Sequence, residues 1–232
     1  MALTTHRSET SSMEGGVDTG PIARMPLHDA IVTRLRDMII EGVLAPGSRV
    51  NEGQVGAQLG ISRTPLREAI KFLASEGLIE LAPGRGAIVR MFSKKDVSDM
   101  LVVLRSQECL AGKLACERAT DEAIAEIRQL HDEMILHYQA RRRLAYYKLN
   151  QEIHSAIVRL ADNEFLVYVH GVLQSRLKRI RFIGHEGEAN WAKAVAEHEE
   201  IILALEARDA GRLLAILDQH LSGAWERVQD VI

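Results

Sequence analysis

The chain has 232 residues, a formal net charge of −3, 47% hydrophobic residues and only 4% aromatic ones. That length accommodates one or two domains with real cores, and the aliphatic bias points to helices. A slightly acidic chain is not a wholly electrostatic nucleic-acid binder, and a specific one would need a local footprint. No apolar run reaches membrane-spanning length, and residues 1–20 lack the apolar core of a signal peptide, so the expected location is the cytoplasm, with no membrane partner.

Residues 1–24, rich in Ser, Thr and Gly, read as a flexible tail. Leu27, Ile31, Leu35, Met38 and Ile39 then share one helical face, and Gly42 marks its end. Val55 and Leu59 form a second, short stripe, and Leu66, Ile70 and Leu73 a third. Gly60 lies between the last two, where a tight turn needs a residue tolerant of positive φ. Ser62 or Thr64 is available to cap the third helix, and Pro65 suits its first turn. Arg63, Arg67 and Lys71 are spaced i, i+4, i+8 on its outward face, with Thr64 beside them.

Leu78–Ala82 and Ala87–Arg90 are β-prone runs around Pro83-Gly84-Arg85-Gly86. A hairpin directly after the third helix is a wing, with Arg85 at its tip. The expected unit over 25–92 is a winged helix-turn-helix that presents Arg63, Thr64 and Arg67 to base edges or phosphates. Its charges are nearly balanced, so modest non-specific affinity and strong salt sensitivity follow.

Three segments, L-A-P-G-S-R-V-N-E, S-R-T-P-L-R-E-A-I-K-F-L-A-S-E-G-L-I-E and G-R-G-A-I-V, closely resemble the N-terminal domain of the GntR superfamily of bacterial transcription regulators. The resemblance covers about 27–91. It implies operator contacts from Arg49 and the wing glycine Gly86, in addition to Arg63, Thr64 and Arg67. Some relatives carry an arginine near the start of the second helix, where this chain has Gly53.

From Ser93 the pattern is helical only. Ser93 and Asp96 have capping-box spacing. Helices are expected at about 94–118, 121–140, 144–161, 163–183, 188–207 and 209–231. The fold class is therefore mainly α: a winged helix-turn-helix with a small hairpin, then an all-α bundle of about six helices over 93–232. Cys109 and Cys116, seven apart on one face, read as small buried residues, with a thiol sensor as the alternative. Arg141-Arg142-Arg143 reads as a solvated corner.

His154, His198 and His220 fall on or beside inward faces of three different helices, and Asn150 lies one turn before the first. They are either hydrogen-bonded core residues or a site for a divalent transition metal of the Zn, Ni or Mn class, with Asn150 supplying an oxygen. The pattern L-N-Q-E-I-H-S-A-I-V-R-L-A-D-N-E-F-L looks like the D-x-x-x-H segment of the FCD ligand-binding domain of the FadR branch, and E-H-E-E-I and L-D-Q-H-L carry histidines matching its other two ligands. Six helices resemble the VanR-type subgroup. The resemblance implies a metal held by Asn150, His154, His198 and His220, with Asn150 replacing the family's aspartate and lowering the ligand charge. It also implies that Arg105 binds the carboxylate of a small organic acid effector, although Arg105 and Glu108 have the spacing of a local helical contact.

The leading expectation is a non-enzymatic, homodimeric regulator that binds a double-stranded operator under control of a small acid. The alternative is a metal-dependent hydrolase with an appended nucleic-acid module, against which His198-Glu199 lacks the second histidine of H-E-x-x-H. An architectural DNA binder would leave the Asn/His set and Arg105 unexplained.

Overall fold

The computed structural model describes residues 27–184, 187–230 and 232. The expected tail, 1–24, lies outside the described residues. Nine helices and one hairpin are present among those described, three helices before the hairpin and six after it.

The first three helices are α1 (Leu27–Glu41), α2 (Glu52–Leu59) and α3 (Arg63–Ser75). Leu35, Leu66, Ile70 and Leu73, with Val55, Ile79 and Val89, form one buried cluster, as the apolar spacing requires. Asn51 caps α2 by accepting from the backbone N–H groups of Gly53 and Gln54. Gly60 ends α2 in the left-handed region at φ 65°, and Ile61 N–H returns to the carbonyl of Gly56. Ser62 is the N-cap of α3, although its hydroxyl makes no capping bond, and Thr64 lies inside the first turn.

Strands β1 (Ile79–Ala82) and β2 (Gly86–Val89) are antiparallel, with Ile79 opposite Val89 and Ala82 opposite Gly86. Gly84 takes φ 73° at the turn. The segment before α2 pairs with the outer edge of β2: Val50 N–H donates to Ala87 O at 2.8 Å and Val89 N–H to Ser48 O at 2.9 Å. Arg49 is thereby fixed beside the wing.

The helical bundle comprises α4 (Lys94–Arg118), α5 (Asp121–Gln139), α6 (Arg143–Leu160), α7 (Glu164–Ile183), α8 (Glu188–Glu206) and α9 (Ala210–Val228). The expected capping box of Ser93 and Asp96 opens α4. Helix α4 packs against α6, α7 and α9, while α5 packs on α6 and α8. Gly112 permits the close approach of α4 to α9, since a Cβ there would lie 2.7 Å from Leu217 Cδ1. Met134, Tyr146, Ile153, Ile157, Ile201, Leu205 and Leu213 fill the centre. Cys116 is buried and Cys109 half-buried, and burial pushes both thiols above their usual range, which disfavours the thiolate a sensor would need.

Two expectations change. Arg143 is not at a solvated corner: its guanidinium stacks 4.2 Å from the Phe182 ring centre and donates to Phe182 O. Arg105 and Glu108 make no local pair. Arg105 donates to Ser222 Oγ on α9 at 2.7 Å, whereas Glu108 turns inward and is buried.

The two units touch through α1. Arg179 on α7 donates to Ile40 O at 2.9 Å and Ile39 O at 3.4 Å, capping the C-terminal carbonyls of α1. Lys148 on α6 holds Asp37 at 2.6 Å, and the Ile40 side chain joins the core of the helical bundle.

Candidate DNA interface and metal centre

The N-terminus of α3, the start of α2 and the wing enclose one concave surface. Arg49, Arg63, Arg67 and Gly86 all line it. Gly86 has φ 78°, and a Cβ there would sit 3.4 Å from the Arg49 guanidinium, so glycine allows both the turn and the close approach. Arg67 Nε donates to Glu52 Oε2 at 2.7 Å, an exposed pair that preorients the guanidinium and competes with any anion for it. Thr64 is exposed on the same end of α3, and Arg85 is exposed at the hairpin tip. Lys71 lies one turn further on, paired with Glu68. Three arginines, Arg49, Arg63 and Arg67, thus share one concave surface with the wing glycine Gly86.

In the bundle, α6, α8 and α9 bring His154, His198 and His220 together. Their ring centres are separated by 4.9 Å (154–198), 5.3 Å (154–220) and 5.1 Å (198–220). One nitrogen of each lies within 4.8 Å of the other two. All three rings are buried. A tetrahedral zinc with Zn–N of about 2.0–2.1 Å needs nitrogens roughly 3.4 Å apart, so a small inward rotation of the rings closes the set.

A carboxylate stands behind two of the rings. Glu197 Oε2 is 2.7 Å from His220 Nδ1. Glu108 Oε2 is 2.6 Å from His154 Nδ1, an electrostatic contact lying off the ring N–H axis. Each acid favours the proton on Nδ1 and leaves Nε2 with its lone pair, the tautomer a metal ligand needs. His154 Nε2 has no hydrogen-bond partner among the described residues. Burial lowers the His154 pKa to about 4, and burial lowers that of His220 too, so both rings are neutral at pH 7.

Glu108 also faces His170 Nε2 at 3.2 Å and Arg181 Nη1 at 3.4 Å. Burial pushes its carboxyl upward, but the close contact of His154, the Arg181 charge and the hydrogen bond with His170 hold it well below the usual carboxylate range. At pH 7, with His154 neutral, Arg181 is the facing charge. Arg181 in turn donates to Gln174 Oε1 at 2.9 Å.

Asn150 presents its amide nitrogen, 2.6 Å from His198 Nε2, while its oxygen accepts from Gln151 Nε2 at 2.9 Å. Gln151 Oε1 is buried without a partner. Rotating both amides together would point Asn150 Oδ1 at the histidines and give Gln151 Oε1 a donor.

Arg105 has no hydrogen bond or ion pair to the three histidines among the described residues. It is 41% exposed, bound to Ser222 and to Asp218 at 3.3 Å. A different pair of arginines, Arg181 and Arg227, lines a void beside His220. Its volume is about 10 Å³, enough for a single water and too small for an organic acid. Glu108, Glu197, Gln151, Arg181 and Arg227 were not identified as site residues from sequence. Only the i, i+4 and i, i+3 spacings to neighbouring inward positions hint at their burial. Glu199, the residue after His198, is bound by Arg128 at 3.0 Å and so is not held as a base for a metal-bound water.

No described helix is long and apolar enough to cross a membrane. Residues 27–89 match the model of the family described as bacterial regulatory proteins, gntR family, and residues 99–223 match the FCD domain. The HTH-type transcriptional repressor RspR of Escherichia coli (strain K12) is 26% identical over 216 residues, covering 93% of this chain and 94% of that protein. The Nta operon transcriptional regulator of Aminobacter aminovorans is 30% identical over 192 residues, covering 81% and 87%. Among solved structures, E. coli McbR/YncC superposes with a TM-score of 0.75 at 21% identity, covering 89% of this chain and 99% of that one, which supports the fold. The relatives are regulators, and the hydrolase alternative finds no support among them.

Proposed function

From the premise that this chain belongs to the gntR family of bacterial regulatory proteins, carries an FCD domain and is a transcriptional regulator of that type, we propose that its DNA binding is controlled by a small carboxylate bound beside a divalent transition metal in the helical bundle. The winged unit, 25–92, reads a double-stranded operator through Arg49, Arg63, Thr64, Arg67, Arg85 and Gly86. The bundle, 93–232, is of the six-helix VanR-like kind and senses the effector in the cytoplasm.

The observation that carries this reading is the convergence of three buried imidazoles with Glu108 and Glu197 behind two of them. His154 Nε2 faces two other rings with no hydrogen-bond partner among the described residues, a need that a metal ion would meet. His154, His198 and His220 would hold a Zn, Ni or Mn-class ion, with Asn150 as fourth ligand after rotation of its amide. Bound there, the metal supplies a positive centre with open positions for a carboxylate.

The effector needs space that the void beside His220 lacks. Binding therefore requires α7 and α9 to separate, and this movement gives the ligand a difference between two states to act on. Arg181 and Arg227 already line the void; Arg105 contributes only if it leaves Ser222 and Asp218. A homodimer is favoured by Val102, Val103 and Leu110 on α4 and by Phe165 and Tyr168 on α7, which are large, apolar and exposed.

Metal analysis of untagged protein, with calorimetric titration of zinc into the chelator-treated chain, tests the centre. One ion per chain, lost in His198→Ala, is expected. Full operator response in protein that never binds metal would reduce the histidines to core residues or direct ligand contacts.

A further inference from the structure

The contact between the two units is not closed. A crevice of about 260 Å³ runs between α1 on one side and α6 and α7 on the other. That is room for about eight waters, or a small metabolite. Its walls carry Arg36 and Thr33 from α1, Lys148 and Ser155 from α6, and Gln174 and Lys178 from α7.

The charges there do not balance. Arg36 is forked onto Glu76, with Nη2 2.8 Å and 2.9 Å from its two oxygens. Lys148 is held by Asp37 at 2.6 Å, and Glu152 by Arg159 at 2.6 Å. Each acid at the crevice thus already has its cation. Lys178 is left over: its ammonium has no hydrogen bond or ion pair among the described residues. Half-buried, with Glu76 and Asp37 acting on it only through space, it has donors free for a ligand in the crevice. Its pKa falls to about 8, first through burial and then through the Arg36 charge, against the opposing pull of Glu76 and Asp37.

We propose that this crevice is a second binding site, distinct from the histidine centre, that takes a small oxyanion, a carboxylate or a phosphate, on Lys178 with Thr33 and Lys148 as further donors. The anion gives Lys178 the direct partner that Glu76 and Asp37, already bound by Arg36 and Lys148, do not. Because Thr33 belongs to the winged unit and Lys178 to the bundle, the ligand stabilises their docked arrangement by mass action. The site also borders the effector machinery. Gln174 donates to Gln151 O at 3.0 Å and accepts from Arg181, which faces Glu108 behind His154.

The test uses the full chain, stripped of metal by a chelator so that the histidine centre cannot bind the probe. Inorganic phosphate and acetate are titrated separately at ionic strength held constant with chloride, and Tm and calorimetric heat are read. The expected result is a saturable rise in Tm with one of the two anions, weakened at least tenfold in Lys178→Met and in Thr33→Val. It should be unchanged in Lys193→Met, which removes an exposed lysine of α8. A response to phosphate alone assigns phosphorylated ligands, and one to acetate alone assigns carboxylates. No response beyond that of chloride, or a response undiminished in Lys178→Met, overturns the proposal.

Discussion

Glu108→Gln is the most discriminating perturbation of the bundle. The Glu108 side chain is 2% exposed and faces His154, His170 and Arg181 within 3.4 Å. The amide keeps the size but removes the charge that faces Arg181 and the group that fixes the His154 tautomer. Breaking a buried charged pair from one side costs about 3–5 kcal/mol. For a chain of this length that corresponds to a fall in Tm of roughly 6–20 °C. Loss of the acid behind a ligating histidine should also weaken metal by about 10–100-fold. Glu197→Gln is the paired control: its acid backs His220 but is 13% exposed, so metal affinity should fall similarly with a smaller loss of Tm. Thermal unfolding by circular dichroism and competition titration with a zinc indicator read the two effects separately. Wild-type Tm and wild-type zinc affinity in Glu108→Gln would refute the placement of this carboxylate behind the centre.

Arg63→Ala and Arg67→Ala should each lower operator affinity by about 1–3 kcal/mol in gel-shift titrations, with Tm unchanged because both side chains are exposed; a similar loss on all sequences would mark a phosphate contact. Gly112→Ala should destabilise by about 1–3 kcal/mol, since its Cβ meets Leu217, and urea unfolding at neutral pH checks this. For metal-free protein, the His154 pKa of about 4 lies below the unfolded value. The fold therefore favours the neutral ring, with stability fully present above about pH 6.5 and lost as pH falls toward 4. His154 contributes about 3 kcal/mol of this and His220 acts in the same direction; proton uptake on unfolding near pH 5.5 should be smaller in His154→Gln. Sedimentation at micromolar concentration should find a homodimer; a monomer both free and on one operator would contradict it.

The winged unit was legible in the sequence because its determinants are local. Gly60 is where the turn needs positive φ, and the stripe of Leu66, Ile70 and Leu73 faces the core as its spacing requires. The cap of α3 was not: Ser62 and Thr64 are alike in chemistry, and only the backbone decides, with Ser62 extended and no hydroxyl bond formed. In the bundle, helical periodicity turned three histidines inward but gave no sign that Glu108 goes with them. A glutamate three residues after Arg105 reads as a surface pair, and its burial comes from Arg181 and His170 on α7, some sixty residues away or more. The environment of Arg143 is hidden from the sequence for the same reason, since the ring it stacks on arrives from α7.

The central claim is that a ligand at the histidine centre governs DNA binding by the winged unit. It is tested most directly by fluorescence anisotropy on an operator recovered by selection from genomic fragments. Titrations would use metal-loaded protein, with and without a panel of small organic acids, and His198→Ala in parallel. The account predicts that one acid changes operator affinity saturably in the loaded wild type, and that His198→Ala still binds DNA but no longer responds. Equal operator affinity in every state, or a full acid response in His198→Ala, would contradict it.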